Sequence, residues 1–277
     1  MTGKGSCPES AFFQLAMSST LLAHRAPAGS TTATLDRTAF EAAGATFYAI
    51  KKPALWPGAE SGACEVAMLY DDERLYICYD VSSGSFVAPK PALVAAAAAA
   101  AAEEGNTEYE WPRSVGMPPA QWSILDDDRV EIFFWARSSP APEDEESTPE
   151  ALEAGESYYA VECNRAGKAI QMRVGFRKQF DYSWPDSAGT EAMLAACSND
   201  AESGPCEMVL SLTWSSVGVD LASGVAALPE MRVALCRGMK GDEGGKADGF
   251  IWSSAVDCND DEVNFHRSQT FATLVLV

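Results

Sequence analysis

Residues 64–81 read Cys64-Glu65-Val66-Ala67-Met68-Leu69-Tyr70, then Asp71-Asp72-Glu73, then Arg74-Leu75-Tyr76-Ile77-Cys78-Tyr79-Asp80-Val81. Two β-prone runs flank a short acidic turn, which is the pattern of a β-hairpin. Successive side chains on a strand point to opposite faces. In the second run Leu75, Ile77 and Tyr79 therefore share one apolar face, and Tyr76, Cys78 and Asp80 share the other.

The same texture continues downstream. Asp126-Asp127-Asp128-Arg129-Val130-Glu131-Ile132-Phe133-Phe134-Trp135 predicts another strand. Residues 158–163 and 168–176, joined by Asn164-Arg165-Ala166-Gly167, predict a second hairpin. Further strands are expected over 207–214, 231–237 and 271–276, with a Gly- and charge-rich loop over 238–249. Short strands with frequent turn signals and little helix imply an all-β fold: an antiparallel β-sandwich, jelly-roll or immunoglobulin-like. Residues 95–102 are unbroken alanine, with Pro91 before and Gly105 after. This predicts a short Ala-rich helical insertion, a disordered linker being the alternative. The organisation expected is an irregular arm over 1–30 and one sandwich over 31–277, with insertions at about 86–120 and 138–156.

Charge narrows the partners. Twenty Lys and Arg face forty Asp and Glu, a net charge of −20. Such a surface repels phosphate backbones and anionic headgroups, so nucleic acid is excluded as an expected partner. Neutral sugars, cations and basic protein patches remain; acidity that merely keeps the chain soluble is the plainer alternative. No stretch is long and apolar enough to predict a transmembrane helix. The first residues lack a basic-then-apolar leader pattern, so a leader is either already removed or not present. Eight cysteines include the neighbouring pairs Cys64/Cys78, Cys197/Cys206 and Cys236/Cys258; disulfides and buried thiols are equal alternatives for these.

Several motifs, in this order, resemble the family 9 carbohydrate-binding modules, a branch of the DOMON-like sandwiches. Leu35-Asp36-Arg37-Thr38-Ala39-Phe40 looks like the family's opening segment, with Phe40 where tryptophan is usual. Tyr70-Asp71-Asp72-Glu73-Arg74-Leu75-Tyr76-Ile77 is similar to its acidic-turn hairpin, and Asp127-Asp128-Arg129-Val130-Glu131-Ile132-Phe133 to its "D-D-x-V-E-V-F" strand. Residues 158–173, then Arg232-Val233-Ala234-Leu235-Cys236-Arg237, Trp252-Ser253 and Phe265-His266 follow the later pattern. The likeness spans about 35–277. It implies an antiparallel sandwich, and less firmly sugar binding, since one fold hosts many functions.

Family modules that bind sugar clamp it between two tryptophans. Trp111 and Trp184, in loop-like surroundings, are the candidates here, with packing at the sandwich edge as the plainer role. Arg113, Glu131 and Arg237 complete the candidate sugar-binding set. Asp126, Asp127 and Asp128 are candidate calcium ligands, because calcium takes carboxylate oxygens; a solvated or capping turn is the alternative. No organic cofactor is expected. Met68, Met172, Met208 and His266 form no pattern that singles out a haem pair. Neither G-x-S-x-G nor H-E-x-x-H occurs, and His266 has no visible partner constellation, so the chain is not expected to be an enzyme.

Two functions follow as expectations. The first is a non-catalytic domain that binds carbohydrate through loop aromatics. The second is a structural or accessory subunit that keeps the sandwich without the sugar site. It would dock a protein partner through the arm, the Ala-rich insertion and the acidic loop, at the periphery of a membrane assembly such as a photosynthetic one. Alanine richness suggests a GC-rich eukaryotic genome such as an alga's, and acidity favours a secretory space or plastid lumen over a nucleus.

Overall fold

The computed structural model describes residues 20–51, 63–82, 124, 128–136, 158–175, 179–184, 193–197, 204–224, 228–240, 250–256 and 270–277. Among the described residues, the strands and the helix α1 follow each other as β1 (Thr20–Arg25), α1 (Arg37–Ala42), β2 (Tyr48–Ala49), β3 (Cys64–Tyr70), β4 (Arg74–Val81), β5 (Arg129–Ala136), β6 (Tyr158–Asn164), β7 (Ala169–Gly175), β8 (Gln179–Asp181), β9 (Met193–Cys197), β10 (Cys206–Thr213), β11 (Met231–Lys240), β12 (Phe250–Ser254) and β13 (Ala272–Leu276).

The strands form one hydrogen-bonded path, β8-β7-β6-β5-β11-β13-β1-β3-β4-β10-β9, with β12 beside β11 and β2 beside β3. This path is folded over on itself. Tyr79, on β4, donates its hydroxyl to the backbone carbonyl of Glu131, on β5, at 2.8 Å, although five steps of the path separate those strands. The rings of Phe134 and Trp214 meet 6.2 Å apart across the same gap. The β5-β6-β7-β11 layer and the β3-β4-β10 layer thus pack face to face, as the sandwich expectation requires.

The expected β3-β4 and β6-β7 hairpins are present. The second closes over Asn164–Gly167, where Gly167 has φ of 73°, a left-handed turn conformation that glycine adopts at no steric cost. Leu75, Ile77, Tyr79 and Val81 face the main core. The opposite face of that hairpin is buried as well: Tyr76 and Cys78 lie in a second apolar cluster with Leu35 and Phe40, beneath α1. Asp36 caps α1 by accepting from the Ala39 N–H at 2.8 Å. Arg37 then ties the helix to the sheet through Glu65 and Asp80 and pairs with Glu41 one turn on in the same helix, and its guanidinium lies 4.3 Å from the centroid of the Phe47 ring.

The structure departs from several of these expectations. Residues 20–25, placed in an irregular arm, form a strand inside the sheet: β1 pairs with β13 and with β3, and residues 1–19 lie outside the described residues. Both of those pairings are parallel, so the sheet is mixed rather than purely antiparallel. The 238–249 loop begins later, because 238–240 continue β11 and pair with β12. Of the two cysteine alternatives, the buried thiol holds at Cys64, Cys78, Cys206 and Cys236. Cys64 faces the main core and Cys78 the cluster under α1, on opposite faces of one hairpin, so they cannot bridge. The Ala-rich segment and all of the 86–120 and 138–156 insertions lie outside the described residues. Among the described residues no helix is long and apolar enough to cross a membrane.

Candidate functional site

Side chains of β5 alternate between two environments. Val130, Ile132 and Phe134 point toward the second layer, whereas Arg129, Glu131, Phe133 and Trp135 point the other way. Residues directly opposite in an antiparallel pair share a face. Glu131 is opposite Glu162 of β6, and Arg129 is opposite Asn164. These four polar side chains therefore lie together on the far face of the β5-β6 pair, at the start of β5.

Their burial sets them apart. Arg129 is 1 % exposed, Glu131 2 %, and Glu162 and Asn164 0 %. Arg129 Nε sits 2.8 Å from Glu131 Oε1 and 2.9 Å from Glu162 Oε2, so one guanidinium bridges both carboxylates. Burial opposes the charge on Arg129, but the fields and hydrogen bonds of Glu162 and Glu131 outweigh it and raise its pKa. The Asn164 carboxamide oxygen accepts from the Ala166 and Lys168 N–H groups at 3.1 and 3.0 Å, which fixes the β6-β7 turn beside the triad. Charged residues are almost never fully buried without pairing, and a buried ion pair seldom improves on a hydrophobic core of equal volume. Stability alone is a weak reason for this triad.

The structure does not gather the sequence candidates into one place. Glu131 belongs to the triad. Arg237 is opposite Val130, so it points between the layers, away from Glu131. There it is fully buried, bonding toward the Cys64 thiol, with Nη2 3.5 Å from Met239 Sδ. Trp184 is 9 % exposed. Its indole N–H donates to the Ser216 carbonyl at 2.9 Å and its ring lies 4.9 Å from that of Tyr159, on the interlayer side of β6. The turn before it is held by Asp181, whose carboxylate accepts from the Ser183 hydroxyl and N–H. Trp184 and Glu131 are thus on opposite sides of the β5-β6 pair, and Trp184 offers packing rather than an open stacking surface. Trp111, Arg113, Asp126 and Asp127 lie outside the described residues, and Asp128 is buried at 2 % exposure. Among the described residues no group of three His, Cys, Asp or Glu side chains is arranged to hold a metal.

Sequence reasoning missed Arg129, Glu162 and Asn164. The signal was present: in Val130-Glu131-Ile132 and Val161-Glu162-Cys163 an acidic residue interrupts an apolar run in two strands that turn out to be neighbours.

An open cleft of about 670 Å³ lies elsewhere, between residues 25–32 and the β3-β4 turn. Its polar groups are engaged in the turn itself. Asp71 accepts from the Glu73 and Arg74 N–H groups and from the Tyr76 hydroxyl, and Asp72 pairs with Arg25 at 2.6 Å. Burial and the Asp71 carboxylate push the Tyr76 hydroxyl well above its ordinary pKa, so it stays a donor.

The architecture has a solved counterpart. A Bacteroides uniformis protein provisionally described as carbohydrate-binding superposes with a TM-score of 0.57 at 13 % identity, over 93 % of this chain and 98 % of that one. The two chains share a fold. Two structures of a family 9 carbohydrate-binding module from Caldicellulosiruptor kristjanssonii, in complex with cellotriose and with glucose, are similar with TM-scores of 0.49 and 0.45. Their identities are 9 % and 10 %; each match covers 93 % of this chain, and 93 % and 95 % of theirs. No family model matches the sequence, and no curated protein matches it.

Proposed function

We propose that this chain is a non-catalytic carbohydrate-binding domain whose recognition groups are Arg129, Glu131 and Glu162. The buried triad carries this reading. Carboxylates accept from sugar hydroxyls and a guanidinium donates to them in a planar fork, so the set matches adjacent hydroxyls on one ring. Three further points support it: the order of motifs that resembles family 9 modules, the fold shared with a protein provisionally described as carbohydrate-binding, and a net charge of −20 that disfavours anionic ligands. Trp111 stays the proposed stacking partner. Contact with side chains only 2 % exposed or less requires local opening of that face, and binding that requires a conformational change associates slowly.

Calorimetric titration with cello- and xylo-oligosaccharides tests the proposal. Binding heat that falls at least about tenfold in affinity in Glu131→Gln is expected, since a hydrogen bond to a charged group contributes about 1.5–3 kcal/mol. The absence of heat with every sugar removes the proposal.

A second reading, a structural or accessory subunit at the edge of a larger assembly, has one observation in its favour: the triad's charges already pair with each other out of contact with solvent. That reading expects Glu131→Gln to change stability while no sugar binds.

A further inference from the structure

We infer that the open cleft beside the β3-β4 turn seats a basic side chain, Lys or Arg, from an extended segment of a partner protein. This goes beyond the carbohydrate reading and stands whether or not sugar binds at the triad.

The cleft measures about 670 Å³ and lies between residues 25–32 and the turn. Ligand sites usually span about 300–1,000 Å³. Both of its walls are held in place. Asp71 Oδ1 accepts from the Glu73 and Arg74 N–H groups at 2.8 and 2.7 Å. The Trp214 backbone N–H donates to the Glu73 carbonyl at 3.0 Å, and its indole N–H to the Asp71 carbonyl at 2.9 Å. On the other wall the Ser30 N–H and hydroxyl both donate to the Pro27 carbonyl, at 3.2 and 2.7 Å. The Tyr76 hydroxyl joins the two walls, 3.0 Å from the Ser30 carbonyl and 2.8 Å from Asp71 Oδ2. A ligand that meets pre-set walls loses little affinity to their ordering.

Two polar groups of the cleft stay outside these bonds. Thr32 lines it and is only 7 % exposed, yet its hydroxyl has no hydrogen-bond partner among the described residues. Side-chain polar groups so deeply buried are nearly always bonded, and a ligand in the cleft would supply the missing partner. Glu73 is exposed on the opposite wall, and its carboxylate pairs with nothing among the described residues. Arg74, on the same wall, turns Nη1 to the Ser211 hydroxyl at 3.0 Å. Asp72 pairs with Arg25 at 2.6 Å, but both side chains are largely exposed, so the pair is weakly held and open to exchange. An ammonium or guanidinium carries the donors this set lacks, to the Glu73 and Asp72 carboxylates at the rim and to the Thr32 oxygen farther in. The rim already accepts one such group: the Arg25 guanidinium bonds Asp72 and lies 5.4 Å from the centroid of the Tyr70 ring.

The whole chain acts in the same direction, because a net charge of −20 draws cations toward its surface. Steering of that kind favours any cation at any acidic patch. A singly charged probe and the position at which it binds separate the cleft from the field.

The full chain is titrated with a blocked Ser-Ala-Arg-Ala-Ser peptide, with the same peptide carrying Lys or Gln at its centre, and with cellotriose. Backbone amide shifts are followed at about 0.15 M salt, where surface fields decay over about 8 Å. The basic peptides are expected to shift the amides of 30–32 and 71–74, and the Gln peptide to leave them in place. Glu73→Gln and Thr32→Val should each weaken peptide binding by about two- to fivefold. Glu230→Gln, at an exposed carboxylate outside the cleft, should leave it unchanged. Thr32→Val removes a hydroxyl that bonds nothing in the protein, so its thermal midpoint should hold while its affinity falls. Shifts scattered over the acidic surface, or an equal loss in Glu230→Gln, would mean that the field acts alone and would overturn the inference. Equal shifts from the Gln peptide, or no shift from either basic peptide, would overturn it as well. Cellotriose moving the same amides would make the cleft a sugar site instead.

Discussion

Glu131 and Glu162 stand directly opposite one another on neighbouring strands, and Arg129 Nε lies 2.8 Å from one carboxylate and 2.9 Å from the other. That guanidinium, lying between them, offsets the repulsion of two like charges in cross-strand contact in a protein interior. Arg129 is therefore the residue on which both carboxylates depend.

Replacing it leaves two buried carboxylates facing each other. Arg129→Met should destabilise the fold by about 3–5 kcal/mol, the range for breaking a buried pair from one side. Chemical denaturation checks this. The triple replacement Arg129→Met, Glu131→Leu, Glu162→Leu should recover much of the loss, because exchanging the whole set for apolar side chains removes the desolvation cost with the charges.

Trp184 should matter for stability and not for sugar. Trp184→Ala removes a ring packed on Tyr159 and an indole bond to Ser216, and should cost about 3 kcal/mol or more in denaturant midpoint terms. Sugar affinity measured on the folded fraction should stay unchanged. A large loss of affinity with normal stability would place the ring at the ligand instead.

The Tyr79 hydroxyl joins the two layers. Tyr79→Phe keeps the ring and deletes the bond to the Glu131 carbonyl, leaving a buried acceptor short of its partner. The expected loss is about 1–3 kcal/mol, read from equilibrium unfolding. The carbonyl belongs to a triad residue, so a shift of the triad should also appear in the amide spectrum around 131.

Alkaline pH should weaken the protein. Burial pushes the Cys64 thiol up to about 12 from its ordinary 9.0, with Arg237 partly offsetting the rise. Below pH 9 both folded and unfolded chains hold the thiol proton and the contribution is intact. Between about 9 and 12 the unfolded chain has lost the proton that the folded chain keeps, so stability falls as pH rises. The slope is up to about 1.4 kcal/mol per pH unit for one proton. Cys64→Ala should flatten that part of the pH–stability curve, which urea titrations at stepped pH would reveal.

What the chain makes legible is the alternation of side chains, and the strands that depend on it were found: β3, β4, β7 and β13 lie within runs read directly from the residues, and β5, β6, β10 and β11 overlap such runs, β11 continuing three residues past its own. β1 was not, because Thr20-Leu21-Leu22-Ala23-His24-Arg25 sits among Ser, Ala, Gly and Pro, and its place comes from two distant parallel partners that no local pattern encodes. β8 and β9 are short edge strands with the same difficulty. The candidate site was legible only in half. Glu131 stood out as a charge in an apolar run, but pairing it with Glu162 and Arg129 needs the register of β5 on β6, which arises from tertiary packing. Arg237 and Trp184 looked equally suitable until alternation put them on the interlayer side.

Chemical-shift mapping of the backbone amides with a saturating oligosaccharide tests the location of binding most directly. The account predicts that the largest shifts centre on 129–131 and 162–164. Shifts confined to residues 25–32 and 71–76, around the open cleft, would contradict it.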